Sequence, residues 1–133
     1  MTTVSATRAS DGLLRFAMRL DAVLVGVLGV PFVALAAPLE SLTGVPRTWD
    51  LGLGVFFLVY GAVFYRLAGR ERVRPGGIAI VIANALFTVL FLGLAAAGVW
   101  PLTAWGYALL IGGGVYTAVI GAVQYAGLRR ITS

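Results

Sequence analysis

The chain has 133 residues, of which 60% are hydrophobic and only 11% are charged, against about 25% charged in an average soluble domain. This composition argues against a water-soluble domain, and the absence of Cys and His argues against disulfides, thiolate chemistry and the usual ligation of soft metals or haem. The net charge of +5 does not indicate nucleic acid, because the arginines flank apolar segments and form no continuous basic face.

Charged residues are missing from three long segments: Ala22 to Leu39, Leu51 to Tyr65, and Pro75 to Leu128. About 18 or more uncharged apolar residues are typical of a membrane span. The third segment is long enough for two spans, and Trp100-Pro101 marks a turn near its middle. The pattern therefore predicts an all-α integral membrane protein, a four-transmembrane-helix bundle in which residues 1–133 form a single membrane domain.

In chain order, the first helix has Ser10 as a plausible N-cap and Asp11 in its first turn, where the helix dipole favours an acid. Pro31 lies inside this helix and is expected to kink it, which membrane helices tolerate. The segment from Pro38 to Pro46 reads as the first loop. The predicted helices cover residues 11–37, 49–70, 78–99 and 103–128.

Arginines in short loops indicate orientation, because positive charge is retained on the cytoplasmic side. Nine of the ten would lie on one side of the membrane: Arg8, Arg15, Arg19, Arg66, Arg70, Arg72, Arg74, Arg129 and Arg130. Both termini are therefore predicted to be cytoplasmic, and Arg66, Arg70, Arg72, Arg74, Arg129 and Arg130 to contact lipid headgroups. Trp49, Trp100 and Trp105 fit an outer aromatic belt. The all-arginine, alanine- and glycine-rich composition favours a bacterial inner (cytoplasmic) membrane protein.

The second and fourth helices resemble each other. Shifting the chain by 60 residues aligns Gly52 with Gly112, Gly61 with Gly121 and Tyr65 with Tyr125, among other identities. A duplicated helical hairpin explains this match, with a pseudo-twofold axis along the membrane normal as in parallel-repeat transporters. Convergence of two helices with similar packing needs is the alternative.

Small residues recur every four positions along the fourth helix, at Gly114, Ala118, Ala122 and Ala126. Helices associate in lipid through close backbone approach at such residues, since burial gives no driving force there. We predict that this stripe is a helix-packing face. Packing within the bundle is one interpretation, and dimerisation through the stripe is the other.

Few polar side chains lie at membrane depth. Asp21 is the only acid near an apolar segment, and two interpretations stay open: an interfacial carboxylate paired with Arg19 or a loop arginine, and a proton or cation site. A candidate polar pocket facing the cytoplasm is formed by Asp21, Tyr65, Asn84, Thr88, Gln124 and Tyr125. Ordinary hydrogen bonding between helices is the alternative to this pocket.

The entry to the first helix, Leu13-Leu14-Arg15-Phe16-Ala17-Met18-Arg19-Leu20-Asp21, and the closing Leu128-Arg129-Arg130 resemble small four-helix bacterial membrane proteins, including DoxX-like proteins. That resemblance implies an inner-membrane protein linked to redox or envelope complexes. Size and helix count also resemble small multidrug-resistance transporters. Those carry an acid near the middle of the first helix, whereas Asp21 lies at its entrance.

No nucleophile–base pair, catalytic carboxylate pair, phosphate-binding loop or metal set is recognisable, so the sequence predicts no enzymatic activity and no cofactor. We expect a non-enzymatic accessory or scaffold subunit of a membrane complex, for example a respiratory or envelope complex, acting through its helix faces as a homo-oligomer or with other proteins. The alternative is a small multidrug-type transporter, or a lipid- or small-molecule-binding protein that uses the polar pocket. The expected partners are membrane lipids and membrane proteins.

Overall fold

The computed structural model describes residues 2–131, with side chains from Ser10 onward. Its helices are α1 (Thr2–Ala34), α2 (Ala36–Thr43), α3 (Arg47–Ala68), α4 (Arg74–Ala97) and α5 (Ala104–Arg129). Four of them are long and apolar enough to cross a membrane, namely α3, α4, α5 and the part of α1 from Ser10 to Ala34. The prediction of an all-α membrane protein with a four-helix bundle is therefore confirmed.

Three predicted boundaries were wrong. α1 begins at Thr2, so Ser10 lies inside the helix and is not its N-cap. The predicted first loop contains α2, because Pro38 stands in a first helical turn, where a missing N–H costs no intrahelical bond. α4 begins at Arg74 with Pro75 in its first turn, four residues before the predicted start.

Helix α1 is the centre of the bundle. It packs most extensively against α3 and also against α5, while α4 packs mainly against α5. The α1–α3 crossing depends on glycine, because a Cβ added to Gly61 would lie 2.6 Å from the Ala22 carbonyl oxygen and 2.8 Å from the Gly26 Cα. The two backbones can approach this closely only without that side chain.

The two ends of the bundle differ in charge. The Arg15 guanidinium donates to the carbonyls of Ala68 at 2.7 Å, Arg70 at 2.6 Å and Glu71 at 3.0 Å, that is, to the last residue of α3 and to the connection that follows it. Leu14 in α1 packs against the beginning of α4 and the end of α5. We call this end, which carries the described arginines other than Arg47, the arginine-rich end.

The opposite end, which we call the tryptophan end, carries Trp49, Trp100 and Trp105. The Trp49 and Trp100 rings meet edge to face at 5.1 Å. Here α2 turns through Gly44, whose φ of +81° is a left-handed conformation that favours glycine. The Thr103 amide donates to the Thr43 carbonyl at 3.0 Å, which ties the beginning of α5 to α2.

The helices α3 and α5 bury corresponding faces. The buried positions Asp50, Gly54, Phe57 and Tyr60 of α3 lie 60 residues before buried Leu110, Gly114, Thr117 and Ile120 of α5. Each helix also has its main contact with the other span of its own hairpin. These shared faces are what a duplicated hairpin requires, and duplication itself stays a prediction.

Candidate functional site: a buried carboxylate at the centre of the bundle

The Asp21 side chain lies in the interior of the bundle, with an exposed fraction of 0%. Its Oδ2 accepts hydrogen bonds from the Tyr60 hydroxyl at 2.6 Å, Asn84 Nδ2 at 3.0 Å and Gln124 Nε2 at 3.1 Å. Its Oδ1 accepts from the Tyr116 hydroxyl at 2.7 Å. All four spanning helices thus contribute to one cluster, which we call the Asp21 cluster: Asp21, Tyr60, Asn84, Tyr116 and Gln124.

The two amides of the Asp21 cluster bind each other as well as the acid. Asn84 Nδ2 donates to Gln124 Oε1 at 2.8 Å, and Asn84 and Gln124 are 1% and 0% exposed. Gln124 Nε2 also approaches the Ala17 carbonyl at 3.5 Å. These bonds use both polar atoms of Gln124 and the Nδ2 of Asn84, which lowers the cost of burying the two amides.

The interpretation of Asp21 as an interfacial ion pair was wrong. Among the described side chains, the ion pairs join Arg15 to Asp11 and Arg47 to Glu40. The Arg19 guanidinium lies 6.0 Å from the Tyr65 ring centroid. Two residues along a helix are separated by about 200° around its axis, so Arg19 points outward where Asp21 points inward.

The structure brings together three of the six predicted pocket residues, Asp21, Asn84 and Gln124. Thr88 lies beside these three residues but makes no hydrogen bond to Asp21. Its hydroxyl donates to the Asn84 carbonyl at 2.9 Å and lies 2.7 Å from the Thr117 hydroxyl. Thr88 therefore belongs to an adjoining contact between α4 and α5.

The placement of Tyr65 and Tyr125 in the pocket was wrong. They are 51% and 50% exposed, on the outer surface at the arginine-rich end, and Tyr125 lies beside Arg129 at 5.9 Å from ring centroid to guanidinium carbon. Their place suits an aromatic belt at the membrane surface. The tyrosines of the cluster are Tyr60 and Tyr116, which the sequence analysis missed.

The sequence carries a signal for one of these two tyrosines. Tyr116 lies eight residues before Gln124, which places the two within about 80° of each other around α5. Tyr60 has no such signal, because the glycines of α3 at positions 54 and 61 lie within about 40° of Tyr65 and about 100° or more from Tyr60. Its place at the acid therefore depends on how the helices pack.

The predicted helix-packing face on α5 divides into two parts. Gly114 is buried against Leu92, whereas Ala118, Ala122 and Ala126 are exposed. Packing of these alanines within the bundle is therefore excluded. Residues spaced by four advance about 40° around the helix at each step. The stripe therefore turns away from the buried face of α5, whose residues combine spacings of three and four.

The predicted headgroup arginines lie where that role requires. Arg66, Arg70, Arg72, Arg74, Arg129 and Arg130 are exposed at the arginine-rich end. Contact with lipid headgroups stays a prediction for them.

An apolar groove lies between α3 and α4, which touch each other little. Its volume is about 460 Å³, and its lining residues are Thr48, Trp49, Gly52, Leu53, Phe56, Phe87 and Leu90. The Phe87 ring lies 6.0 Å from the Tyr60 ring. Tyr60 thus stands between the groove and the Asp21 carboxylate.

The chemistry available at the cluster is that of one carboxyl group surrounded by neutral hydrogen-bond donors. Within residues 10–131 no group of three acids, histidines or cysteines is close enough to hold a metal ion. The chain matches no protein-family model, no curated protein and no solved structure. The functional argument therefore rests on the geometry of the chain itself.

Proposed function

We propose that this small polytopic membrane protein binds a positively charged species, a proton or a small cation, at the Asp21 carboxylate. The observation that carries the proposal is a fully buried acid that accepts hydrogen bonds from four neutral side chains. Acidic residues inside membrane segments are costly, and they mark ion, proton or substrate sites by default.

The hydrogen-bond lengths support a charged acid. The contacts of Asp21 with Tyr60 and Tyr116, 2.6 and 2.7 Å, fall in the short range of O–H donors to carboxylates. No described side chain forms an ion pair with Asp21, so an ionised carboxylate there would be stabilised by these hydrogen-bond donors alone. An Asn at this position would place an amide N–H donor where one of the two oxygens accepts, so this set of four donors suits a carboxyl group with two acceptor oxygens.

The decisive experiment is infrared difference spectroscopy of the purified protein in lipid nanodiscs, titrated with acid and then with Na⁺ or K⁺. We expect a carboxyl band that changes reversibly with proton or cation, and that is lost in Asp21→Asn. Glu71→Gln is the matched control, because Glu71 is an exposed acid at the arginine-rich end. It should leave the Asp21 band unchanged.

The proposal fails if the Asp21 band responds to neither titrant while the protein stays folded. In that case the cluster only holds the helices together. If Asp21→Asn does not fold, Tyr116→Phe serves instead, since it removes one donor and keeps the acid. A titration identical to that of the wild type would then count equally against the proposal.

A second candidate, the accessory or scaffold subunit, is favoured by one specific observation. Ala118 and Ala122 face outward from α5, where a second helix can approach closely. Copurification from native membranes in mild detergent tests it. Ala118→Leu and Ala122→Leu should release the partner or dissociate an oligomer without unfolding the chain, and unchanged assembly would remove this candidate.

A further inference from the structure

Three acids are buried among the described residues, Asp11, Asp21 and Asp50, and Asp50 lies far from the Asp21 cluster. It is in the first turn of α3 at the tryptophan end, and its exposed fraction is 0%. Both of its carboxylate oxygens are buried without a hydrogen-bond partner. Ten residues separate it from Tyr60, which is about 15 Å along a helix. Asp50 is therefore outside the proposed Asp21 site.

The nearest charged side chains leave the charge of Asp50 uncompensated. The Glu40 carboxylate acts on Asp50 electrostatically. Glu40 also accepts from the Arg47 amide at 2.9 Å and pairs with Arg47 Nε at 3.6 Å. Arg47, the one arginine that the described residues place at this end, is thus paired with Glu40, and the two acids and Arg47 together carry a formal charge of −1.

A buried carboxylate without a donor is expensive, since it has lost hydration and gained nothing in exchange. The positive ends of the dipoles of α3 and α5, which both begin at the tryptophan end, stabilise an anion only in part. The Asp21 cluster shows the contrast, because there every buried carboxylate oxygen has a donor. Both oxygens of Asp50 therefore keep lone pairs with which they can bind a cation.

We propose that Asp50, with Glu40 beside it, binds a hard, oxygen-preferring cation at the tryptophan end of the bundle. Carboxylate oxygens are the donors that Na⁺, Ca²⁺ and Mg²⁺ select, and hard cations accept sites with few protein ligands completed by water. The cation would neutralise the buried acid and tie the beginning of α3 to α2, which carries Glu40.

The test is thermal unfolding of the purified full chain in detergent, in chloride salts of Na⁺, K⁺, Mg²⁺ and Ca²⁺ at matched ionic strength. A ligand that binds only the folded state raises Tm in a saturable way. We expect one of these cations to do so for the wild type and for the control Glu71→Gln, and to have no such effect on Asp50→Asn.

Glu40→Gln provides a second, milder variant, because the Glu40 side chain is 39% exposed. It should fold and should weaken the apparent cation affinity on the order of tenfold. It also keeps the proposal testable if Asp50→Asn fails to fold. A wild-type Tm that no cation raises, or an equal rise in Asp50→Asn or Glu40→Gln, would overturn the site. An equal rise in Asp50→Asn would point to cation binding at Asp21, and the absence of any rise would leave the proton as the species bound there.

Discussion

Removal of a single oxygen atom, in Tyr60→Phe, tests the charge on the buried acid. The Tyr60 hydroxyl donates to Asp21 Oδ2 at 2.6 Å, and the Tyr60 side chain is 4% exposed. The phenyl ring keeps its contacts with Phe64 and Phe87, whose centroids lie 4.7 and 6.0 Å away. The substitution therefore removes this hydrogen bond, and the longer one that the hydroxyl accepts from Asn84 Nδ2 at 3.3 Å, with little change in packing.

The size of the effect depends on whether Asp21 is ionised. Hydrogen bonds between neutral groups of membrane helices contribute about 0.6 kcal/mol on average and at most about 1.7 kcal/mol. Bonds to charged groups contribute about 1.5–3 kcal/mol. We expect Tyr60→Phe to lower the free energy of unfolding by about 2 kcal/mol, which is a roughly 30-fold change in the unfolding equilibrium.

The assay is reversible unfolding in mixed micelles by titration with a denaturing detergent. Tyr65→Phe is the matched control, because Tyr65 is in the same helix and 51% exposed. It should change the free energy of unfolding by less than about 0.5 kcal/mol. A loss near 0.6 kcal/mol for Tyr60→Phe would indicate a neutral acid. A loss equal to that of Tyr65→Phe would refute the account of the cluster.

Three further predictions concern packing and use the same unfolding measurement. Gly61→Ala should lower the free energy of unfolding by about 1–3 kcal/mol, because the added Cβ meets backbone atoms of α1. Gly52→Ala is the control and should be neutral or stabilising, because nothing lies within 4 Å of the added Cβ. Equal effects of the two substitutions would contradict the α1–α3 crossing. Arg15→Met should lower the free energy of unfolding by at least about 1.5 kcal/mol, because three carbonyls at the end of α3 lose their charged donor. An unchanged free energy of unfolding would show that these three hydrogen bonds do not stabilise the bundle. Ala122→Leu should leave the unfolding of the isolated chain unchanged, because Ala122 faces outward; a large loss of stability would place it inside the bundle.

The spanning segments could be predicted from the sequence because hydropathy is a property of consecutive residues. The predicted helices 49–70 and 103–128 end within two residues of α3 and α5. Two of the three boundary errors fell at prolines, which can either end a helix or stand in its first turn. Pro38 and Pro75 begin helices here, and Gly77 gives Leu14 room to pack, since an added Cβ would lie 2.6 Å from the Leu14 side chain.

The sequence also identified Asp21, Asn84 and Gln124 as candidates, since polar groups at membrane depth must face the protein interior. It could not select their partners. Which tyrosine reaches an acid on another helix depends on the rotation of each helix about its axis and on the crossing of α1 with α3. Those are set by contacts such as Gly26 with Gly61, which join residues far apart in the chain.

The amino-acid order alone determined that this chain has four segments long and apolar enough to cross a membrane, because length and hydropathy are properties of consecutive residues. The tertiary structure alone decided what surrounds each buried acid. Asp21 meets donors from α3, α4 and α5, whereas Asp50 meets none among the described residues. A side chain's hydrogen bonds are made across helices, and the positions of those helices follow from packing, which no local pattern encodes.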